Sequence, residues 1–350
     1  MPSPVFVSVP KAQPGDRVAV LSPAFAAPGA FPAVHCQAMR RLTEVTGLVS
    51  VEYPTTRLLG ASPEARAADI TAAFADPTIK GVIATVGGDD QITVIPHLDA
   101  GVIAANPKPF VGYSDNLNLH NFLWGLGVRS FYGGSTQVHL GAGPSVDAIH
   151  AQSLRAALLD GGIVQLTEPG ESEDYGVDWA DPRALTDFGT REATEPWTWA
   201  GPATLAEGRT WGGCIEVIDQ LALADLLPSP AQLEGGILLL ETSETLSPTD
   251  LVMRWVRGLG QRGLLEAVAG VCVARPPVTA LGQPVPPANE RARLREAQHD
   301  VIIEQVARYN PDAVVCVGVP FGHTRPQWIV PHGGIMRLDG AARTVTATYS

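Results

Sequence analysis

Between Lys80 and Val86 the chain reads Lys-Gly-Val-Ile-Ala-Thr-Val, an almost unbroken apolar stretch that stops at Gly87-Gly88-Asp89-Asp90. A strand without polar alternation is covered on both faces, and in globular chains that means a parallel sheet held between helices. The flanking segments carry the helices such a sheet needs. Asp16–Pro23 reads as an earlier strand, followed by a helical pattern through Cys36, Met39 and Leu42 that stops near Gly47. Val49–Tyr53 reads as a second strand. Ser62-Pro63-Glu64 then supplies an N-cap serine, a first-turn proline and a first-turn acid for the helix that leads back to Lys80. Two further units end at Gly112-Tyr113-Ser114 and at Tyr132, and a helix is expected around Ser145–Leu159. This alternation predicts a right-handed, doubly wound parallel α/β sheet with its site at the carboxyl ends of the strands.

At 350 residues the chain exceeds what one hydrophobic core usually holds, so two domains are expected. The boundaries fall at 1–165 for the first, 166–207 for a crossing segment and 208–350 for the second. The crossing lacks helical or strand period and carries Trp179, Trp197 and Trp199, which suit either a binding surface or a satellite cluster under a loop. Trp211-Gly212-Gly213-Cys214 is expected to open the second domain with a helix to about Leu223. A strand ending at Glu241 follows, then a capping box Ser247-Pro248-Thr249-Asp250 opening a helix through Val252 and Val256. Val268–Val273 is the next strand, and a proline-rich loop leads to a helix capped by Asn289. The strand Ala313–Val317 runs on toward His323, and a hairpin closes the chain.

The formal charge is −12 and the isoelectric point near 5.1, with basic residues scattered, so nucleic acid and anionic membrane are excluded as main partners. No apolar run reaches the length of a membrane span and the first residues lack a signal-peptide layout, so a cytoplasmic protein is expected. Cys36, Cys214, Cys272 and Cys316 are widely spaced and read as buried thiols rather than a disulfide framework or zinc site.

Three polar residues each follow an apolar strand: Ser114, Glu241 and His323. A hydroxyl on a sharp strand-to-helix turn projects from the backbone, imidazole accepts its proton near neutral pH, and a carboxylate orients the imidazole. Ser114 also suits a plain helix cap. The elbow of α/β-hydrolases, G-x-S-x-G, is a poor match because Asn116 occupies its last position. Gly87-Gly88 allows a backbone amide to approach a scissile carbonyl, with the amide after Ser114 as its partner. A phosphate cradle there would place Asp89 and Asp90 against the anion, and Asp89-Asp90 as metal ligands lack histidine support. No cofactor is expected. Among the other histidines, His332 lies in a turn that can face the same cleft, His120 and His139 lie near the serine, and His97, His150 and His299 read as surface or helix positions.

These segments resemble the LD-carboxypeptidase family of serine peptidases, in its microcin-immunity branch. The likeness rests on Pro14-Gly15-Asp16 with Ser22-Pro23, Arg66-Ala67-Ala68-Asp69, Phe74-Ala75-Asp76-Pro77, Gly87-Gly88-Asp89-Asp90 and Lys108–Asp115. It continues through Trp211-Gly212-Gly213, Leu240-Glu241, Gly322-His323 and Pro331-His332-Gly333, in that order over nearly the whole chain. The resemblance implies a flavodoxin-like first domain and a smaller, β-rich second α/β domain, with the site in the groove between them and a homodimer as the assembly. It implies Ser114 as nucleophile, His323 as general base and Glu241 as its partner, with the backbone amides of Gly88 and Asp115 as oxyanion hole. Asp89 and Trp179 are the implied substrate contacts, Trp179 stacking on an adenine. The implied activity is a serine carboxypeptidase or amidase that detoxifies a microcin-like peptidyl-nucleotide by cleaving the bond between a C-terminal aspartyl group and a modified nucleotide. The alternatives are D-alanine release from murein tetrapeptide and a non-catalytic peptide or nucleotide binder. Cys214 stands where the family more often has asparagine, and Leu221-Ala222-Leu223-Ala224 replaces its glycine-threonine.

Overall fold

The computed structural model describes residues 4–350. Its first sheet is built from β1 (Arg17–Leu21), β2 (Val49–Glu52), β3 (Ile79–Ala84), β4 (Phe110–Gly112) and β5 (Ser130–Tyr132), all parallel, in the order β2-β1-β3-β4-β5. This is the flavodoxin-like order, in which the connection reverses beside β1 and β3 and opens a crevice at their carboxyl ends. Helices Pro32–Thr46, Pro63–Ala75, Ala100–Ala105 and Leu117–Gly125 make the crossovers. The Ser62 hydroxyl accepts from Ala65 N–H, with Pro63 in the first turn, and Gly47 ends the preceding helix in the left-handed conformation. Val82, Ile83 and Ala84 are fully buried, as their uninterrupted apolar run requires.

The second sheet has eight strands. The remaining strands are β6 (Ile163–Gln165), a short hairpin of β7 (Glu171–Ser172) and β8 (Glu192–Ala193), β9 (Thr198–Ala200), β10 (Leu205–Cys214), β11 (Ile237–Glu241), β12 (Gly270–Ala274), β13 (Val314–Val319), β14 (Val330–His332), β15 (Ile335–Asp339) and β16 (Thr344–Thr348). In the order β6-β16-β15-β10-β11-β12-β13-β9, the four strands β10 to β13 run parallel and the others antiparallel. The strand β14 leaves this sheet and pairs antiparallel with β5 of the first, so the two sheets are interlocked.

Several expectations need correction. Trp211-Gly212-Gly213-Cys214 ends the long β10, where Gly212 and Gly213 let the strand approach Leu239 O and the Tyr132 ring closer than any side chain permits, and the expected helix follows at once as Ile215–Leu223 with Cys214 as its N-cap. Ser247 does not cap the helix Thr249–Gln261, whose N-cap is Pro248; its hydroxyl donates to Glu216 instead. Asn289 lies one residue inside the helix Ala288–Tyr309. The helix expected around 145–159 is Ala148–Arg155 followed by a wider turn to Asp160. Trp197 and Trp199 are strand-edge residues packed on the main core. Cys36 is exposed, and His150 and His299 lie on helices as expected, His150 buried and His299 half-buried.

The crossing segment is fastened by charge. Asp174, 2% exposed at its side chain, accepts from Arg275 and Arg295 and from the N–H groups of Val278 and Thr279, while Glu192 and Glu195 complete the cluster. Removing one member leaves buried guanidinium uncompensated. Asp174→Ala is expected to lower stability by about 3–5 kcal/mol, measured as the midpoint shift in urea unfolding at unchanged slope.

Candidate active site

Ser114 follows β4 on a turn where its φ is +64°, a left-handed conformation that costs a non-glycine residue about 1–2 kcal/mol. Neighbouring groups hold it there. Asn116 donates to Tyr113 O and Val86 O and accepts from the Gln91 side chain, while Asp115 accepts from Gln91 N–H and the Asn118 side chain. A Cβ on Gly87 would lie 2.8 Å from that of Ser114, and one on Gly88 would lie 2.7 Å from that of Ala24, so both glycines are required by close approach. Among the described residues, neither the Gly88 nor the Asp115 N–H has a hydrogen-bond acceptor.

The structure brings Ser114, His323 and Glu241 into one line. His323 Nε2 lies 2.9 Å from Ser114 Oγ, and Nδ1–H donates to Glu241 Oε2 at 2.6 Å. Glu241 is the last residue of β11 and His323 follows β13. Gly322 is needed between them, since a Cβ there would meet the Glu241 carboxylate at 2.8 Å. Gln327, fully buried, donates to Gly322 O and accepts from Gly134 N–H, fixing the imidazole-bearing loop to the first sheet. Burial opposes the charged imidazole, but the Glu241 and Glu244 carboxylates outweigh it and raise the His323 pKa to about 9. This is the geometry in which imidazole takes a serine proton as the hydroxyl attacks an acyl carbon.

Four participants were not read from the sequence. Tyr132 OH accepts from Ser114 N–H at 3.1 Å and Cys214 N–H at 2.9 Å, and donates to Glu241 Oε1 at 2.5 Å. The Glu244 Oε2, on an exposed loop, lies 3.2 Å from His323 Nε2. Glu216 accepts from Ser243, Thr245 and Ser247 and so shapes that loop. The Tyr113 ring packs on the His323 imidazole with centroids 4.9 Å apart. A tyrosine closing the strand beside the serine strand was the one available signal; an acid in a polar loop carries none.

The other candidates fall elsewhere. His120 bonds Ser130 and Gly112 O, His332 packs on His120 rather than in the cleft, and His139 stacks on His150. Burial lowers the pKa of all four. Asp89 is exposed at the mouth, and Asp90 is held by Arg66 in a two-point ion pair. Trp179 is half-buried, edge-on to Phe31, in a small cluster with Val34, Ala142 and Ala184. Burial, with Asp90 and Asp89 nearby, raises the Asp115 pKa to about 6 against the pull of Gln91 N–H. Among the described residues no cluster of three or more His, Cys, Asp or Glu is placed to hold a metal, and no helix is long and apolar enough to cross a membrane.

Two interlocked α/β domains with a serine on one sheet and its imidazole and carboxylate on the other define a narrow class. The chain belongs to the LD-carboxypeptidase family, its residues 18–133 matching the N-terminal domain and 207–338 the C-terminal domain. It is 28% identical to the microcin self-immunity protein MccF of Escherichia coli over 81% of this chain and 78% of that one. It is 26% identical to a putative carboxypeptidase of Treponema pallidum over 84% and 80%. The solved structure of MccF in complex with aspartyl sulfamoyl adenosine superposes with a TM-score of 0.82 at 21% identity, over 98% of both chains.

The Tyr132 hydroxyl satisfies two buried amides and a carboxylate oxygen together. Tyr132→Phe is expected to lower stability by about 1–3 kcal/mol in chemical unfolding and to slow phosphonylation of Ser114 by a fluorophosphonate.

Proposed function

We propose that this protein is a serine hydrolase of amide-type bonds in which Ser114 is the nucleophile, His323 the general base and Glu241 the group that orients and stabilises the imidazolium. The observation that carries this reading is the hydrogen-bonded line from Glu241 through His323 to Ser114, beside two unengaged amides. Ser114 Oγ adds to the substrate carbonyl as its proton passes to His323 Nε2. The oxyanion then receives the Gly88 and Asp115 N–H groups, the second at the start of the helical turn that Ser114 opens. His323 returns the proton to the leaving nitrogen, and a water activated by the same imidazole hydrolyses the acyl-enzyme.

For the substrate, the reading is an aminoacyl group, aspartyl in the first instance, joined to a modified nucleotide. Its support is the likeness to MccF, whose structure has been solved with aspartyl sulfamoyl adenosine. Asp89 and Trp179 are the proposed contacts from the mouth and the crossing segment, Trp179 through the part of its ring left exposed.

Two outcomes are expected. Ser114→Ala lowers hydrolysis of aspartyl sulfamoyl adenosine by at least about 10³-fold while unfolding at the same urea concentration as the parent; equal turnover removes Ser114 from its role. Release of D-alanine from a murein tetrapeptide in place of nucleoside release would assign the other activity. The second outcome concerns pH. A general base acts when deprotonated, so with His323 raised to about 9, kcat/KM climbs roughly tenfold per pH unit on the acid side, from about pH 5 to 7.

A further inference from the structure

The His323 imidazole is shared by two carboxylates. Glu241 takes Nδ1–H from below, and Glu244 Oε2 stands 3.2 Å from Nε2, the nitrogen that also faces Ser114 Oγ at 2.9 Å. A carboxylate has no proton to give, so the Glu244 contact is favourable only when Nε2 carries one. In that state Nε2 cannot take the proton of Ser114. The other groups turned toward the imidazole do not relieve this: Tyr113 is a ring contact, His139 is buried and its imidazole pKa is lowered, and Glu216 adds a third negative charge.

The position of Glu244 is built. Glu216 gathers Ser243 N–H and the hydroxyls of Ser243, Thr245 and Ser247, pinning the loop on both sides of residue 244, and Leu246 takes a left-handed φ of +54°. The Glu244 side chain is left 62% exposed, pointing from the loop to the imidazole. Among the described residues no lysine or arginine pairs with it, and Arg325 is committed to Asp147 and the carbonyls of Val138 and Ser145. Asp89, also exposed, adds negative charge at the mouth.

We infer that Glu244 is a specificity-determining residue, an anionic receptor for a free, protonated amine on the acyl side of the scissile bond. This rests on the hydrolase reading above. An acyl carbon within attack distance of Ser114 carries its α-nitrogen two bonds away, on the reach of a carboxylate that already touches the attacking side of the imidazole. A protonated α-amine draws Glu244 off Nε2 and leaves that nitrogen to Ser114. A peptidyl substrate, whose α-nitrogen is acylated and neutral, leaves Glu244 on the imidazole. The favoured substrates are therefore aminoacyl rather than peptidyl.

The test uses binding, which does not need turnover. In the full-length Ser114→Ala protein, calorimetry compares aspartyl sulfamoyl adenosine with its N-acetyl derivative. The free amine is expected to bind at least tenfold more tightly, and Glu244→Gln in the same background is expected to bring the ratio within twofold. Glu244 is exposed, so the second variant tests recognition rather than folding. A ratio near one in the Ser114→Ala protein, or a preference that survives Glu244→Gln, overturns the inference. If the preference holds and is lost in Glu244→Gln while the parent protein hydrolyses neither compound, the receptor stands and the hydrolase reading falls. No measurable binding of either compound overturns both.

Discussion

The oxygen of Tyr132 is where the two sheets meet. It accepts the amide of Ser114 from the first sheet and that of Cys214 from the second, and its proton goes to Glu241 at the end of β11. Burial and the adjoining Glu241 push the phenol pKa well above its usual value, so it stays a neutral donor. A single buried hydroxyl that satisfies two amides and a carboxylate fixes the separation of three strand ends at once, and losing it would leave all three unsatisfied. The surrounding glycines follow from this. Gly213 is bare because the Tyr132 ring would meet a Cβ at 2.5 Å, and Gly322 because Glu241 would. The exchange of β14 into the first sheet works to the same end, since it ties β5, and with it Tyr132, to the chain that carries His323.

Burial lowers every histidine near the site, and what each ring faces decides whether that is overcome. His120, His139, His150 and His323 are all buried, yet burial lowers the first three and His323 is raised to about 9. His120 faces a carbonyl and a hydroxyl, which hold a neutral tautomer; His323 faces Glu241 and Glu244, which hold a cation. The fold thus sets the His323 imidazole between two carboxylates, while His35, which meets the single carboxylate of Glu52, stays below its ordinary pKa because burial outweighs that one charge. The same selectivity governs its arginines: Arg275 and Arg295 are buried only because Asp174, Glu192 and Glu195 meet them.

The parallel sheet of the first half was legible because its signal is local. An apolar run at Lys80–Val86, a cap at Ser62 and a stop at Gly47 each declare their element within a few residues. Ser114, Glu241 and His323 were legible as polar residues ending apolar strands, and the structure brings them together. The failures share a cause, which is that the deciding contact was distant in sequence. Ser247 has the right neighbours for a cap, but its hydroxyl is taken by Glu216, 31 residues away. That Trp211-Gly212-Gly213 closes a long strand before the helix begins is not readable until Leu239 and Tyr132 are known to press on it. Glu244 has no local pattern at all; only the folded loop puts it beside His323.

The turn at Ser114 explains why the pattern there departs from G-x-S-x-G. In that motif the last glycine lets helix and strand come together. Here the position is Asn116, whose side chain bonds Tyr113 O, Val86 O and Gln91, and a Cβ on Gly112 would sit 3.1 Å from its own Cβ. The close approach is therefore provided at Gly112 and Gly87, on the strand side, which frees position 116 for a polar side chain. That side chain does what glycine cannot: it anchors the strained Ser114 to the segment after β3 through Val86. A left-handed serine costs about 1–2 kcal/mol, and the three hydrogen bonds of the Asn116 side chain, two of them buried, are enough to offset it. Strain and anchor are thus supplied two residues apart, and a glycine at position 116 would remove the second without relieving the first.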